Sequence, residues 1–288
     1  MSNLKGWTWL TPGMPPAQVR DEFLQRVPRL AVPLALARSA RFEPGPMFPE
    51  TGGARGSRPT GQDQAAALLG FAAHLLGEDV LPLQVVRAVT PATRLIPKMA
   101  EAFSDRVSSL LLMADGLGDG AILYPCYPTE PGEGFWAAGL GIAGAPDPRV
   151  VEAFRHATKA GSVVLELAEL EAMRGRWSLP VALRALAAWK GGDVVRGRWR
   201  IDLDKFAKGL GWTGKDRGEL VDDVIAKAFR EAAGLWPAMH VEVAPLRFDG
   251  RGRSFRLVDV IWNDARTARR PRSNVRKTSI SQLKETSR

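Results

Sequence analysis

The sequence predicts a mainly helical α+β protein, and three observations carry that expectation. First, from Trp177 to Trp262 the elements come in a set order. An amphipathic helix, Ser178–Trp189, is followed by a short strand, Trp199–Leu203, and a helix, Asp204–Leu210, closed at Gly211. After the turn Trp212–Gly218 come a longer helix, Glu219–Ala233, and two strands, Met239–Phe248 and Ser254–Trp262. That is the order of a winged helix-turn-helix. Second, residues 62–160 read as three helices and a hairpin, the same order without a matching residue pattern. Third, the segment from Arg266 to Arg288 carries eight basic residues and one acid, for a net +7. The expected organisation is an irregular arm with a short helix and a flexible linker (1–61), two winged-helix-like domains (62–160 and 161–264) and a disordered basic tail (265–288).

The composition bounds the class. A chain of 288 residues can build one large domain or two ordinary ones, and 45% hydrophobic residues suffice for a core. The formal charge of +9 and the pI near 10.1 point to a polyanionic partner, nucleic acid or an acidic membrane surface. Most of that excess sits in the tail, which reads equally as a solubilising end or as a nucleic-acid contact through Arg269, Arg270 and Arg272. The single cysteine, Cys126, cannot close a disulfide within the chain, which fits a reducing compartment. Met1–Gly13 lacks an apolar run of signal-peptide length, and no apolar stretch is long enough to span a bilayer. The expectation is a cytoplasmic protein with no membrane partner.

In the first half, Pro15–Val27 reads as a helix opened by two prolines. Leu30–Leu36 is an apolar run whose periodicity fits strand or buried helix alike. Arg41–Gln62 is rich in Gly, Pro and Thr, a loop or linker. Gln62–Leu76 repeats Ala and Leu at helical spacing, and Leu81–Val89 reads as a second helix. Thr90-Pro91 starts a third, expected to reach Met113 and to stop at Asp115–Gly120. Ala121–Tyr127 and Phe135–Ile142 then form two strands about a Gly/Pro turn. A helix, Arg149–Lys159, and a strand, Gly161–Leu167, lead into the second module.

The second module carries the residues suited to DNA. In the helix from Glu219, Leu220, Val224, Ala228 and Ala232 form one apolar line, with Val221, Ile225 and Phe229 beside it. The opposite face shows Asp222, Asp223, Lys227 and Arg230. In a helix-turn-helix the N-terminal end of the second helix approaches the base edges. Here that end is Lys215-Asp-Arg-Gly218: Arg217 matches guanine O6 and N7, and Lys215 suits phosphate. Asp222 and Asp223 argue against a deep fit; they either accept from a cytosine amino group or face solvent. The hairpin tip concentrates Arg247, Arg251, Arg253 and Arg256 against one acid, Asp249, and Gly250 and Gly252 let the backbone approach a phosphate. Arg196, Arg198 and Arg200 alternate with Trp199 and Ile201 as a second basic stripe.

This order of elements, with the phrase Trp199-Arg-Ile-Asp-Leu-Asp-Lys-Phe-Ala-Lys-Gly-Leu-Gly-Trp212, resembles the second winged-helix domain of plasmid replication initiator (Rep) proteins. There a strand feeds a helix of the form Leu-x-x-Phe-Ala-x-x-Leu-Gly, and a long helix and a hairpin follow. Val163–Leu167 and Leu179–Trp189 fit the strand and helix that precede it. The resemblance covers residues 90–262 in order and 163–262 in pattern. It departs where an aromatic-rich helix start is replaced by Leu-Pro-Val after Ser178. It implies binding of repeated origin sites on double-stranded DNA, a homodimer that acts differently from the monomer, and recruitment of a host replication initiator or helicase. A transcriptional repressor of the same architecture is the alternative among binding proteins; an assembly or partition protein that touches nucleic acid only through its tail is another.

Enzyme readings rest on weaker patterns. Gly139-Leu-Gly-Ile-Ala-Gly144 fits the dinucleotide fingerprint, with Glu166 or Glu169 near the ribose-binding position, but Pro146 and Pro148 fall where its helix should run. Gly209–Asp216 nearly spells a phosphate loop, but Asp216 replaces the hydroxyl that would hold Mg²⁺. His74, His156 and His240 lack ligand spacing, so neither a metal nor another cofactor is expected. Tyr124 and Tyr127 lack the histidines or activating arginines of a nicking or recombining enzyme. Trp7 and Trp9 either pack or stack on a partner.

Overall fold

The computed structural model describes residues 7–42, 61–75, 80–90, 110–112, 121–123, 141–143, 152, 154–156 and 161–264. They form an α+β fold of helices around small antiparallel sheets. In chain order the elements are α1 (Pro16–Arg26), β1 (Arg29–Pro33), α2 (Leu34–Ser39), α3 (Gly61–Leu75), β2 (Val80–Pro82) and α4 (Leu83–Val89). Short strands β3 (Leu110–Leu112), β4 (Ala121–Leu123) and β5 (Gly141–Ala143) follow, then β6 (Ser162–Glu166) and a 3-10 turn, Leu167–Ala172. The remainder is α5 (Ser178–Lys190), β7 (Arg198–Asp202), α6 (Leu203–Leu210), α7, β8 (Met239–Val243) and β9 (Leu257–Asp264). Helix α7 runs continuously through an α-helical turn, Arg217–Glu219, a π-helical centre, Leu220–Ala226, and a closing α-helical turn, Lys227–Glu231.

Helix α5 is the axis of the core. Its sequence is apolar almost all round, and Leu179, Val181, Ala182, Leu183, Ala185, Ala187 and Ala188 are buried. A helix without a polar face needs neighbours on every side. Here α2, α3 and β6 cover one part and α7 the rest. The run Leu30–Leu36 divides between the two readings the sequence left open: its first half is β1 and its second opens α2. Strand β1 pairs antiparallel with β6, Arg29 opposite Glu166 and Pro33 opposite Ser162. Residues 29–39, counted with the arm in the sequence, thus complete a sheet and a helix layer around 162–190. Trp7 is buried against Phe23 and Trp9, so this tryptophan packs rather than faces a partner.

Two expectations for the first half are corrected. Leu110–Leu112 is a strand, not the end of a helix, because it pairs with Ala121–Leu123. The strands read as one hairpin, β4 and β5, do not pair with each other: β4 takes β3, and β5 takes β2 through Leu81 and Ile142. Period-two apolar residues mark a strand but do not name its partner. Tyr124, Tyr127 and Cys126 lie outside the described residues.

The C-terminal sheet is antiparallel in the order β7-β9-β8, with Arg200 opposite Asp259 and Val241 opposite Trp262. Val258, Val260 and Trp262 point into the core. Trp262 meets Trp189, Trp199, Phe229 and Trp236, with ring centroids 5.3 to 6.5 Å apart, and this aromatic group ties the sheet to α5 and α7.

Candidate nucleic-acid interface

Local chemistry sets the two helices that follow β7. The Asp202 carboxylate caps α6 by accepting from the Lys205 N–H at 3.2 Å, and Gly211, at φ 75°, closes it in the left-handed conformation. Asp216 caps α7 by accepting from the Gly218 N–H at 2.7 Å. Helix α6 therefore buries Leu203, Phe206 and Leu210 and exposes Asp204, Lys205 and Lys208. Helix α7 buries Leu220, Val221, Val224, Ile225, Ala228 and Phe229 and exposes Glu219, Asp222, Asp223, Lys227 and Arg230. Its outer face is acidic in its first half and basic in its second.

The hairpin between β8 and β9 narrows to an arm beyond the sheet. Phe255 N–H donates to the Arg247 carbonyl at 2.8 Å, and Asp249 N–H to the Arg253 carbonyl at 2.7 Å. Compared with the β8–β9 register, the returning strand has one residue more, a bulge between the sheet and the arm. At the tip the Asp249 carboxylate accepts from the N–H groups of Arg251 (2.9 Å) and Arg253 (2.8 Å), and Gly252 takes φ 76°. The one acid of the arm thus shapes its backbone, and of the tip arginines it also meets the Arg253 side chain, at 3.4 Å.

The nominated cations divide into two groups. Arg198 and Arg200 both reach Asp259, at 3.5 and 2.9 Å, and Arg256 reaches Asp202 at 2.7 Å and Asp204 at 3.5 Å. The hydrogen bond from Arg200 holds the Asp259 carboxyl below its usual value against partial desolvation, and that from Arg256 does the same for Asp202. Arg217 grips both Asp204 oxygens at 3.0 and 2.9 Å and donates to the Ser254 carbonyl at 3.0 Å. The residue expected to read guanine is thus a strut from the start of α7 to α6 and the hairpin arm. Arg253 has only an exposed pair with Asp249 at 3.4 Å. Among the described residues, Arg196, Lys215, Lys227, Arg230, Arg247 and Arg251 have no carboxylate within ion-pair distance.

The basic stripe on β7 is narrower than the sequence implies. Arg198 and Arg200 share its outer side, whereas Arg196 lies before the strand, at φ 52°, in a two-residue turn closed by reciprocal bonds between Val195 and Arg198. Lys205 and Lys208 are exposed cations that sequence reasoning passed over; their signal was the polar side of α6, set by the spacing of Leu203, Phe206 and Leu210. Lys208, Lys215, Arg217 and Arg253 line a cleft of about 720 Å³ between α6, the turn and the arm, with Asp204 and Asp216 in its wall. Arg269, Arg270 and Arg272 lie outside the described residues.

Other chemistries find less footing. Among the described residues no three His, Cys, Asp or Glu side chains gather as a metal site, and no helix is long and apolar enough to cross a membrane. Gly141–Ala143, inside the fingerprint-like stretch, is a strand paired antiparallel with β2, where a dinucleotide site needs a turn opening a helix. Leu203–Leu210 is a helix, so the Gly209–Asp216 stretch does not follow a strand. Compared with known protein families, curated proteins and solved structures, the chain gives no significant match.

Proposed function

We propose that residues 161–264 act as a winged helix-turn-helix that binds double-stranded DNA with sequence preference, and that the chain initiates replication of a plasmid-type element from repeated origin sites. The observation that carries the proposal is the arrangement around the sheet β7-β9-β8. Two capped helices joined by a short turn lie beside an arm whose outward side chains are mainly arginine. Phosphate contacts fall to exposed cations that, among the described residues, have no carboxylate within ion-pair distance: Lys205 and Lys208 on α6, Lys215 at the turn, Arg247 and Arg251 on the arm, Arg196 at the sheet corner, and Lys227 and Arg230 along α7. Arg253 joins them by releasing its exposed pair. Asp222 and Asp223 keep the first half of α7 from close approach to phosphate, so the arm and α6 bear more of the affinity than in a helix-led complex. Homodimer formation and recruitment of a host initiator or helicase belong to the same reading.

Selection of genomic fragments by the full chain tests this. Directly repeated sites beside an origin are the expected result. An inverted repeat across a promoter would assign the chain to repression, and no enrichment above a random pool would remove sequence preference altogether.

A further inference from the structure

The arm carries more than charge. Phe248 and Phe255 are 60% and 49% exposed, in a hairpin that also holds Arg247, Arg251, Arg253 and Arg256. Single exposed apolar residues are common and need no account. Two phenylalanines beside arginines on an arm that leaves its sheet are a different case, because aromatic faces among cations suit the bases and phosphates of nucleic acid.

The pairing separates the two rings. Phe248 faces Ser254 across the arm, and Phe255 faces Arg247, so the rings lie on opposite sides of the ribbon. The cross-strand neighbour of Phe255 has a long aliphatic stem able to lie along its ring. That of Phe248 is a serine, too short to cover one. Phe248 also sits directly before the tip turn, Asp249–Arg253, whose backbone is stiffened by the Asp249 carboxylate. Below it the arm is braced by Arg217, which holds the Ser254 carbonyl and Asp204 together. A ring near the end of a braced arm, beside a tip turn that carries Arg251 and Arg253, has the parts of a wedge: cations to hold the phosphates and an apolar face to enter between bases.

We propose that Phe248 is such a wedge, entering the minor groove of bound duplex DNA and partly unstacking one base step, while Arg251 and Arg253 at the tip hold the flanking backbone. This rests on the reading of residues 161–264 as a duplex-binding module and adds a deformation to it. The deformation favours flexible pyrimidine–purine steps at a position read without hydrogen bonds.

The test uses the full chain and a duplex recovered by selection from a randomised pool, with 2-aminopurine placed at successive adenines. Native protein should raise the fluorescence at one step within the footprint. Phe248→Ala should abolish that rise and Phe248→Leu should keep part of it. Phe255→Ala, on the other side of the arm, should leave it intact. Binding by anisotropy is measured on the same samples. If the native chain binds but no position brightens, or if Phe248→Ala brightens like the native chain, the wedge is refuted and the duplex-binding reading stands. If the native chain enriches no duplex, both fall together.

Discussion

Replacing Arg251 and Arg253 together by alanine tests whether a cation without an internal partner is what meets DNA. Arg251 has no ion pair among the described residues, and Arg253 has one exposed pair at 3.4 Å, which costs little to give up. Each phosphate contact adds about 0.9 to the slope of log affinity against log salt, so the double variant should be shallower by about 1.8. Arg200→Ala is the matched control. It removes one charge where the double variant removes two, and takes it from a guanidinium of β7 already bound to Asp259, which keeps Arg198 at 3.5 Å. Its slope should equal that of the native chain. Fluorescence anisotropy titrations over a salt series measure all three, with circular dichroism to confirm equal folding. Equal loss in both variants would show that position on the sheet, not availability, governs the contact. An unchanged slope in the double variant would take the arm out of the interface.

Further outcomes follow from the packing. Trp262→Ala opens a cavity among Trp189, Trp199, Phe229 and Trp236 and should cost about 3–5 kcal/mol in urea unfolding. Gly197, at φ 71°, would place a Cβ 2.7 Å from the Trp262 carbonyl oxygen, so Gly197→Ala should destabilise by more than about 1 kcal/mol in the same assay. Glu231 accepts from the Gly175 N–H at 2.7 Å and the Ser178 hydroxyl at 2.6 Å, and Glu231→Ala should cost about 1–3 kcal/mol, part of it regained in Glu231→Gln. Asp202 and Asp259 are held below the ordinary carboxylate value of 3.8. A depressed folded-state pKa gives stability that is whole above the unfolded value and is lost as pH falls through the folded one. The urea midpoint should therefore fall as the solution passes below 3.8, less steeply in Asp259→Asn; an identical fall would deny the pair a role.

The C-terminal module was legible because its signals are local. Gly211 closes α6, and Gly250 and Gly252 mark the turn of the arm, whereas the caps Asp202 and Asp216 went unread, so α6 and α7 begin at Leu203 and Arg217 instead of the expected Asp204 and Glu219. Helix α5 was expected to be amphipathic, with one face outward; it is instead buried almost all round, because α2, α3, β6 and α7, which the local pattern does not name, pack on it from several sides. Pairings between distant segments left no such trace. Arg29–Pro33 and Ser162–Glu166 meet across more than a hundred residues of chain, and either would have read equally well as a strand with another partner. The same limit misplaced the partners of β4 and β5. At the interface, the residue types were readable and their engagements were not. Whether Arg217 is spent or available turns on Asp204, thirteen positions away, and on a carbonyl in the arm.

The β1–β6 pair and the seat of α2 on α5 bear on how this molecule can be divided. Cutting before Ser162 would strip the partner strand from β6 and uncover Leu165, Leu179 and Leu183, all fully buried in the intact chain. The half-buried Arg184 would also lose the Ala40 carbonyl it holds at 2.6 Å, keeping that of Gly209 at the end of α6. Any mutation that shifts residues 29–42 therefore pulls directly on α5 and on the end of α6, and a C-terminal fragment studied alone would report on a different object from the intact chain.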